Sequence, residues 1–174
     1  MGPALVKTTC ATPHQPRRRV DAYVLIRDQG GRVLLIQPPY RDDLVLPGDG
    51  VHPGEQAAEA AARALADSIG LRRTLMGALA YDTVPANFNT GAAETLSVVL
   101  NGGVMTTVEA DALSLPVRAS DGIDALVWVH VDDLHQHVLP PTEHRIREAN
   151  AAALLGIRLP PPYMGEFATN HATA

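Results

Sequence analysis

Residues 46–71 decide how this chain is read: Leu46-Pro47-Gly48-Asp49-Gly50-Val51-His52-Pro53-Gly54-Glu55, then QAAEAAARALADSIGL from Gln56 to Leu71. A loop rich in glycine and proline runs straight into an alanine-rich segment. In that segment Ala58, Ala61, Ala62, Leu65 and Ile69 recur at helical spacing. Gly70 stands where a left-handed residue closes a helix. The spacing predicts a helix from Glu55 to Ile69. The loop before it, Gly48 to Gly54, offers backbone amides and the positive end of a helix dipole to an anion. Gly48, Asp49 and Gly50 are therefore the expected ligand-contacting positions.

Working outward, Val20 to Ile26 and Arg32 to Gln37 are two nearly continuous apolar runs joined by the turn signal Asp28-Gln29-Gly30-Gly31. Such runs belong to strands buried on both faces. Downstream, Leu75 to Val84 and Glu94 to Leu100 read as strands, and Asn101-Gly102-Gly103 reads as a turn. Residues 104–124 read as an insertion or long loop carrying Glu109, Asp111, Asp121 and Asp124. Ala125 to Val129 is a further strand, residues 131–135 a helical turn, and Thr142 to Leu155 an amphipathic helix opened by Pro140-Pro141. Residues 1–18 read as a loose arm, 19–157 as one domain and 158–174 as an irregular tail.

Composition agrees with one core. The chain has 174 residues, 46% apolar but only 4% aromatic, so the core is built from aliphatic residues and alanine. A net charge of -5 supplies no general basis for nucleic-acid or membrane binding. Arg17, Arg18 and Arg19 read as a solvated lead-in to the first strand. The single cysteine, Cys10, can form neither an intrachain disulfide nor a cysteine zinc cluster. With no signal-peptide pattern and no membrane-length apolar window, the chain reads as a cytoplasmic protein.

The loop and helix resemble the Nudix box: Gly, five residues, Glu, seven residues, Arg-Glu-aliphatic-any-Glu-Glu-any-Gly-aliphatic. Glu55 stands at the first glutamate, Arg63 at the arginine, Leu65 at the aliphatic position, and Gly70-Leu71 at the close. Leu126-Val127-Trp128-Val129, Asp132-Asp133-Leu134 and Pro140-Pro141-Thr142 also look like the family, so the resemblance covers roughly residues 18–157. It implies an α/β/α sandwich with a mixed β-sheet, and a hydrolase that cleaves a diphosphate linkage in a nucleotide-like small molecule with Mg²⁺ or Mn²⁺. Many Nudix proteins dimerise, so a homodimer is an expectation of the same kind.

The departures lie in the chemical half of the box. Asp49 stands where a glycine is usual. The three glutamates after the arginine are here Ala64, Asp67 and Ser68. Carboxylates at i, i+3 and i+4 share one helix face and can hold a hard cation against a diphosphate. Ala64 supplies no ligand, Ser68 a neutral hydroxyl, and Asp67 a shorter carboxylate. Glu55, Glu59, Arg63 and Asp67 are spaced as one helical ridge, so Glu55, Glu59 and Asp67 form a substitute metal set. The alternative for Glu59 is an exposed i,i+4 pair with Arg63. Glu55, Arg63 and Asp67 are the expected catalytic positions, although in the family Glu55 and Arg63 also lock loop to helix.

Asp121, Asp124 and Glu109 are candidate distal carboxylates, and acidic loop residues are ordinarily just solvated. His52 lies in the box loop; His135, His137 and His144 lack strong metal-ligand spacing. Trp128 and Tyr81 read as core or pocket-wall residues. Three functions follow: a hydrolase working with a thinned ligand set, a non-hydrolysing binding or regulatory protein using the same pocket, or an enzyme repurposed to metal-independent chemistry.

Overall fold

The computed structural model describes residues 18–115 and 122–160; Cys10, Arg17 and Asp121 lie outside them. The strands are β1 (Arg19–Asp28), β2 (Arg32–Gln37), β3 (Gly48–Gly50), β4 (Ala78–Val84), β5 (Thr95–Met105) and β6 (Ala125–His130). They form one mixed sheet in the order β4-β5-β1-β2-β6, with β3 also paired to β1. β1 and β5 run parallel and the other pairs antiparallel. β2 and β3 share one edge of β1: Val33 lies opposite Arg27, while β3 covers Asp21 to Tyr23.

Helices close both faces of the sheet: α1 (Ala57–Ile69) with α2 (Thr107–Ala112) on one, α3 (Pro140–Leu154) on the other. The strand period of two divides the apolar residues between the faces. Ala22, Val24, Ile26, Leu34, Val98 and Leu100 pack with α1, and Leu25, Val33, Leu35 and Val99 pack with Ile146 and Ala149 of α3. This is why β1 and β2 read as continuous apolar runs, and it confirms the α/β/α sandwich. On α1, Ala57, Ala60, Ala61 and Ala64 bring the backbone close to the sheet, and Leu65 and Ile69 are the large side chains buried there. Each of those two contributes about 1.5–3 kcal/mol by leaving water.

Four sequence readings change. Helix α1 begins at Ala57, with Gln56 at its N-cap, so Glu55 lies in the loop and not on the helical ridge. Strand β4 begins at Ala78 rather than Leu75. Asn101-Gly102-Gly103 is not a turn: β5 runs through it to Met105, with a register shift against β1 between Leu25 and Arg27. The Asn101 side chain accepts the Gly103 amide at 2.9 Å, which stabilises that bulge. The supposed insertion then holds α2, whose first turn Glu109 and Thr106 cap for each other. Beyond α3 the chain returns to the sheet edge, where the Leu159 amide donates to the Ala78 carbonyl at 2.8 Å.

Strand direction places the functional loops together. β3 runs down β1 so that Val51 reaches Val20, and Thr95 of β5 stands in register with Arg19. The box loop and the connection between β4 and β5 therefore leave the sheet at the same end.

Candidate functional site

The site begins with a close approach. A Cβ on Gly48 would lie 2.3 Å from the Ala22 carbonyl oxygen and 2.7 Å from Tyr23 Cδ1. Only glycine lets β3 seat against β1 here, and that seating delivers Asp49 to the α1 side. At the other end of α1, Gly70 has φ 67°, and its amide donates to the last turn of the helix.

Arg63 ties loop to helix. Its Nε donates to Glu55 Oε1 at 2.9 Å and its Nη2 to Glu55 Oε2 at 3.1 Å. The same Nη2 donates to the Gly50 carbonyl at 3.0 Å, and Nη1 donates to Asp49 Oδ2 at 2.9 Å. Bidentate guanidinium–carboxylate contacts of this kind are strong and directional. Glu55 Oε2 also accepts the His52 amide at 2.9 Å. Together the Arg63 and His52 donors hold the Glu55 carboxyl at about 2. The Arg63 guanidinium, with the Gly50 amide, pulls the Asp49 carboxyl below its usual range, and the two carboxylates raise the arginine further. At neutral pH all three groups are charged.

The other sequence candidates are dispersed. Glu59 does not pair with Arg63; its carboxylate accepts the Gln56 amide at 3.0 Å and caps α1. Ala64 is buried against the sheet, and the Ser68 hydroxyl donates back to the Ala64 carbonyl. Asp67 is exposed one turn beyond Arg63. Asp124 is exposed where the chain enters β6, and Glu109 is occupied at the α2 cap. His52 is exposed, 3.8 Å from Glu55. His135 approaches the Asp132 carbonyl, while His144 and Tyr81 line a groove between α3 and β4. Trp128 packs against the α1-side core beneath the Arg32 guanidinium.

The Mg²⁺ or Mn²⁺ that the family resemblance implies is poorly served by these donors. Glu55 is engaged by Arg63 and an amide, Glu59 caps a helix, position 64 has no donor and the Ser68 hydroxyl is turned into the helix. Among the described residues no three histidine, cysteine or acidic side chains gather into a metal-binding group. The expected set of Glu55, Glu59 and Asp67 is thus not assembled.

A cleft of about 420 Å³ opens beside the loop, lined by Arg18, Arg19, Val51, His52, Glu55 and Gln56 among others. Arg18 and Arg19, read from the sequence as a solvated lead-in, form one wall. Arg18 pairs with Glu94, and Arg19 Nε meets Asp21 at 2.6 Å. The signal for this wall was their place just before the strand that β3 joins, visible only once that pairing is known. Among the described residues no helix is long and apolar enough to cross a membrane.

Comparison with known proteins agrees with this architecture. The MutT protein from Methanosarcina mazei Go1 superposes with a TM-score of 0.62 at 20% identity, covering 83% of this chain and 99% of that one. A NUDIX hydrolase from Nitrosomonas europaea gives 0.64 at 17% identity, covering 87% and 97%. The NUDIX domain of Shewanella oneidensis NrtR, complexed with ADP ribose, gives 0.58 at 16% identity, covering 80% and 89%. No curated protein matches by sequence. The NUDIX domain family model matches residues 17–153, most of the chain and all of the site just described, and the protein belongs to that family.

Proposed function

We propose that this protein binds a phosphate-containing, nucleotide-like small molecule beside the box loop, and that the family reaction, hydrolysis of a diphosphate linkage, is slow or lost in it. The observation that carries this reading is the Arg63 guanidinium, which takes both box-loop carboxylates, Glu55 and Asp49, for itself. A carboxylate neutralised in this way repels a phosphate less than a free one. Arg18 and Arg19, which line the cleft and are each paired with a single carboxylate, favour an anion there. The ADP ribose bound by the NrtR domain indicates the size and chemistry of ligand to try first.

The test is calorimetry with ADP-ribose and with inorganic pyrophosphate, each with and without Mg²⁺ or Mn²⁺, followed by a turnover assay on both. The expected result is binding that does not depend on the metal, with negligible hydrolysis. Turnover in Mn²⁺ as fast as that of a variant carrying Ala64→Glu, Asp67→Glu and Ser68→Glu would show a competent native box and overturn the reading.

A further inference from the structure

We propose that Phe88, on the connection between β4 and β5, selects an aromatic ring in the ligand; this rests on the reading that the box cleft takes the phosphate portion. Phe88 is 95% exposed. A phenyl ring this free of contacts contributes little to the core, so its place at the site end of the sheet calls for another account.

The ring is displayed on a braced loop. Asn87 and Ala92 exchange backbone hydrogen bonds at 2.9 and 3.1 Å, and the Thr90 amide donates to the Asn87 carbonyl at 3.3 Å. The Asn87 side chain accepts the Asn89 amide at 3.0 Å. Phe88 sits inside this closed turn, so its backbone is positioned before any ligand arrives. With the backbone already braced, stacking orders only the two side-chain torsions of Phe88.

Beside it lies a hollow of about 240 Å³ walled by Ala86, Gly91, Ala92 and Ala93, with Glu94 at its edge. These small residues leave the space over the Phe88 ring open and apolar. Glu94 joins the hollow to the box cleft. Its carboxylate pairs with Arg18 and its carbonyl accepts the Arg19 amide at 2.8 Å, and both arginines line the cleft. The two depressions are neighbours across one ion pair. A ligand with phosphate in the cleft extends its other end over this pair into a non-polar hollow beside an exposed aromatic ring. That arrangement suits a flat ring, such as the base of a nucleoside diphosphate, better than a second phosphate or an uncharged sugar.

Calorimetry on wild type, Phe88→Ala and Phe88→Trp tests this with two probes, ADP-ribose and inorganic pyrophosphate. Stacking on one aromatic side chain predicts about a tenfold loss of ADP-ribose affinity in Phe88→Ala. Pyrophosphate affinity stays within about twofold of wild type, and Phe88→Trp restores ADP-ribose binding. If wild type binds both probes and Phe88→Ala binds ADP-ribose equally well, the role of Phe88 is refuted while the phosphate reading stands. If wild type binds neither probe, both fall together. Phe88 is exposed and outside the core, so loss of folding does not confuse the outcome.

Discussion

Asp49 of β3 meets Arg63 of α1 at 2.9 Å, giving the guanidinium a second carboxylate partner beside Glu55. Asp49 occupies the position where the family pattern places a glycine. A fixed organic cation thus bridges strand, loop and helix within the very segment whose acidic residues would otherwise be free to meet a metal ion. The loop is held by this side-chain clamp together with the backbone bonds from Val51 to Val20 and from Glu55 to His52.

Replacing Arg63 with Met therefore leaves Glu55 and Asp49 close together without their shared cation. The melting temperature is expected to fall by several degrees, and Asp49→Asn to lower it less, because Glu55 keeps its two contacts. Thermal unfolding followed by circular dichroism measures both. An unchanged transition in Arg63→Met would show the clamp to be incidental.

The same clamp makes stability sensitive to acid. Glu55 ordinarily titrates near 4.5 and is held at about 2 in the fold. Its folded value is depressed, so between these limits the unfolded chain binds more protons. The contribution is complete above about pH 4.5 and is lost as pH falls towards 2. Asp49 is shifted in the same direction. Unfolding curves from about pH 6 down to about pH 2, spanning that window, should slope more steeply for wild type than for Glu55→Gln. Parallel slopes would count against the ion pair.

Divalent metal is expected to leave the wild-type melting temperature unmoved, since a cation that bound the native site would raise it by mass action. Restoring the family glutamate at position 64 has a structural cost, because Ala64 is only 5% exposed. Ala64→Glu alone should lose about 1–3 kcal/mol by covering a poorly solvated carboxylate. A saturable rise in melting temperature with Mn²⁺ in wild type would contradict the first expectation, and a neutral Ala64→Glu the second.

Gly48→Ala would drive a methyl group into the Ala22 carbonyl. Relief requires β3 to move off β1, at about 1–3 kcal/mol of overpacking strain. Amide exchange at Val24, whose N–H donates to the Pro47 carbonyl, and at Val51, whose N–H donates to the Val20 carbonyl, should accelerate. Unaltered protection at both amides would mean the approach tolerates a side chain.

On the opposite face, Arg145 of α3 donates to Asp82 of β4 at 2.8 and 3.1 Å and lies over the Tyr23 ring at 5.2 Å. Arg145 is nearly buried, so Asp82→Ala strands its charge; with Asp82 itself about a third exposed, the loss should be about 1–3 kcal/mol. Adding Arg145→Met to Asp82→Ala should recover much of that loss, because the charge is then gone. Denaturant unfolding of the single and double variants decides this; equal stability of the two would remove Arg145 from the account.

The apolar runs of β1, β2 and β6, the alanine-rich α1 with its closing Gly70, and the proline-initiated α3 were legible in the sequence because each is a local pattern: side-chain period, cap and turn chemistry lie within a few residues. So was the family resemblance, carried by a short spaced motif. Local reading failed where the deciding partner was distant. Glu55 has good helical character, yet the His52 amide and the Arg63 guanidinium hold its carboxylate in the loop. Asn101-Gly102-Gly103 has turn chemistry, yet pairing with β1 and the bonds between Asn101 and Met76 and Gly77 carry the strand through it. Glu59 fits a ridge with Arg63, but the helix cap claims it first.

Local pattern along the chain was enough to specify this sandwich and to show that Ala64 and Ser68 bring no carboxylate to the box. Which of the remaining charges are committed to one another emerged from the three-dimensional fold. It joined Asp49 to Arg63, set Arg18 and Arg19 beside the loop and put the Phe88 hollow next to them. The reason is physical: backbone periodicity is set by near neighbours, whereas the partner of a charged or aromatic side chain is set by how strands far apart in the chain register in the sheet.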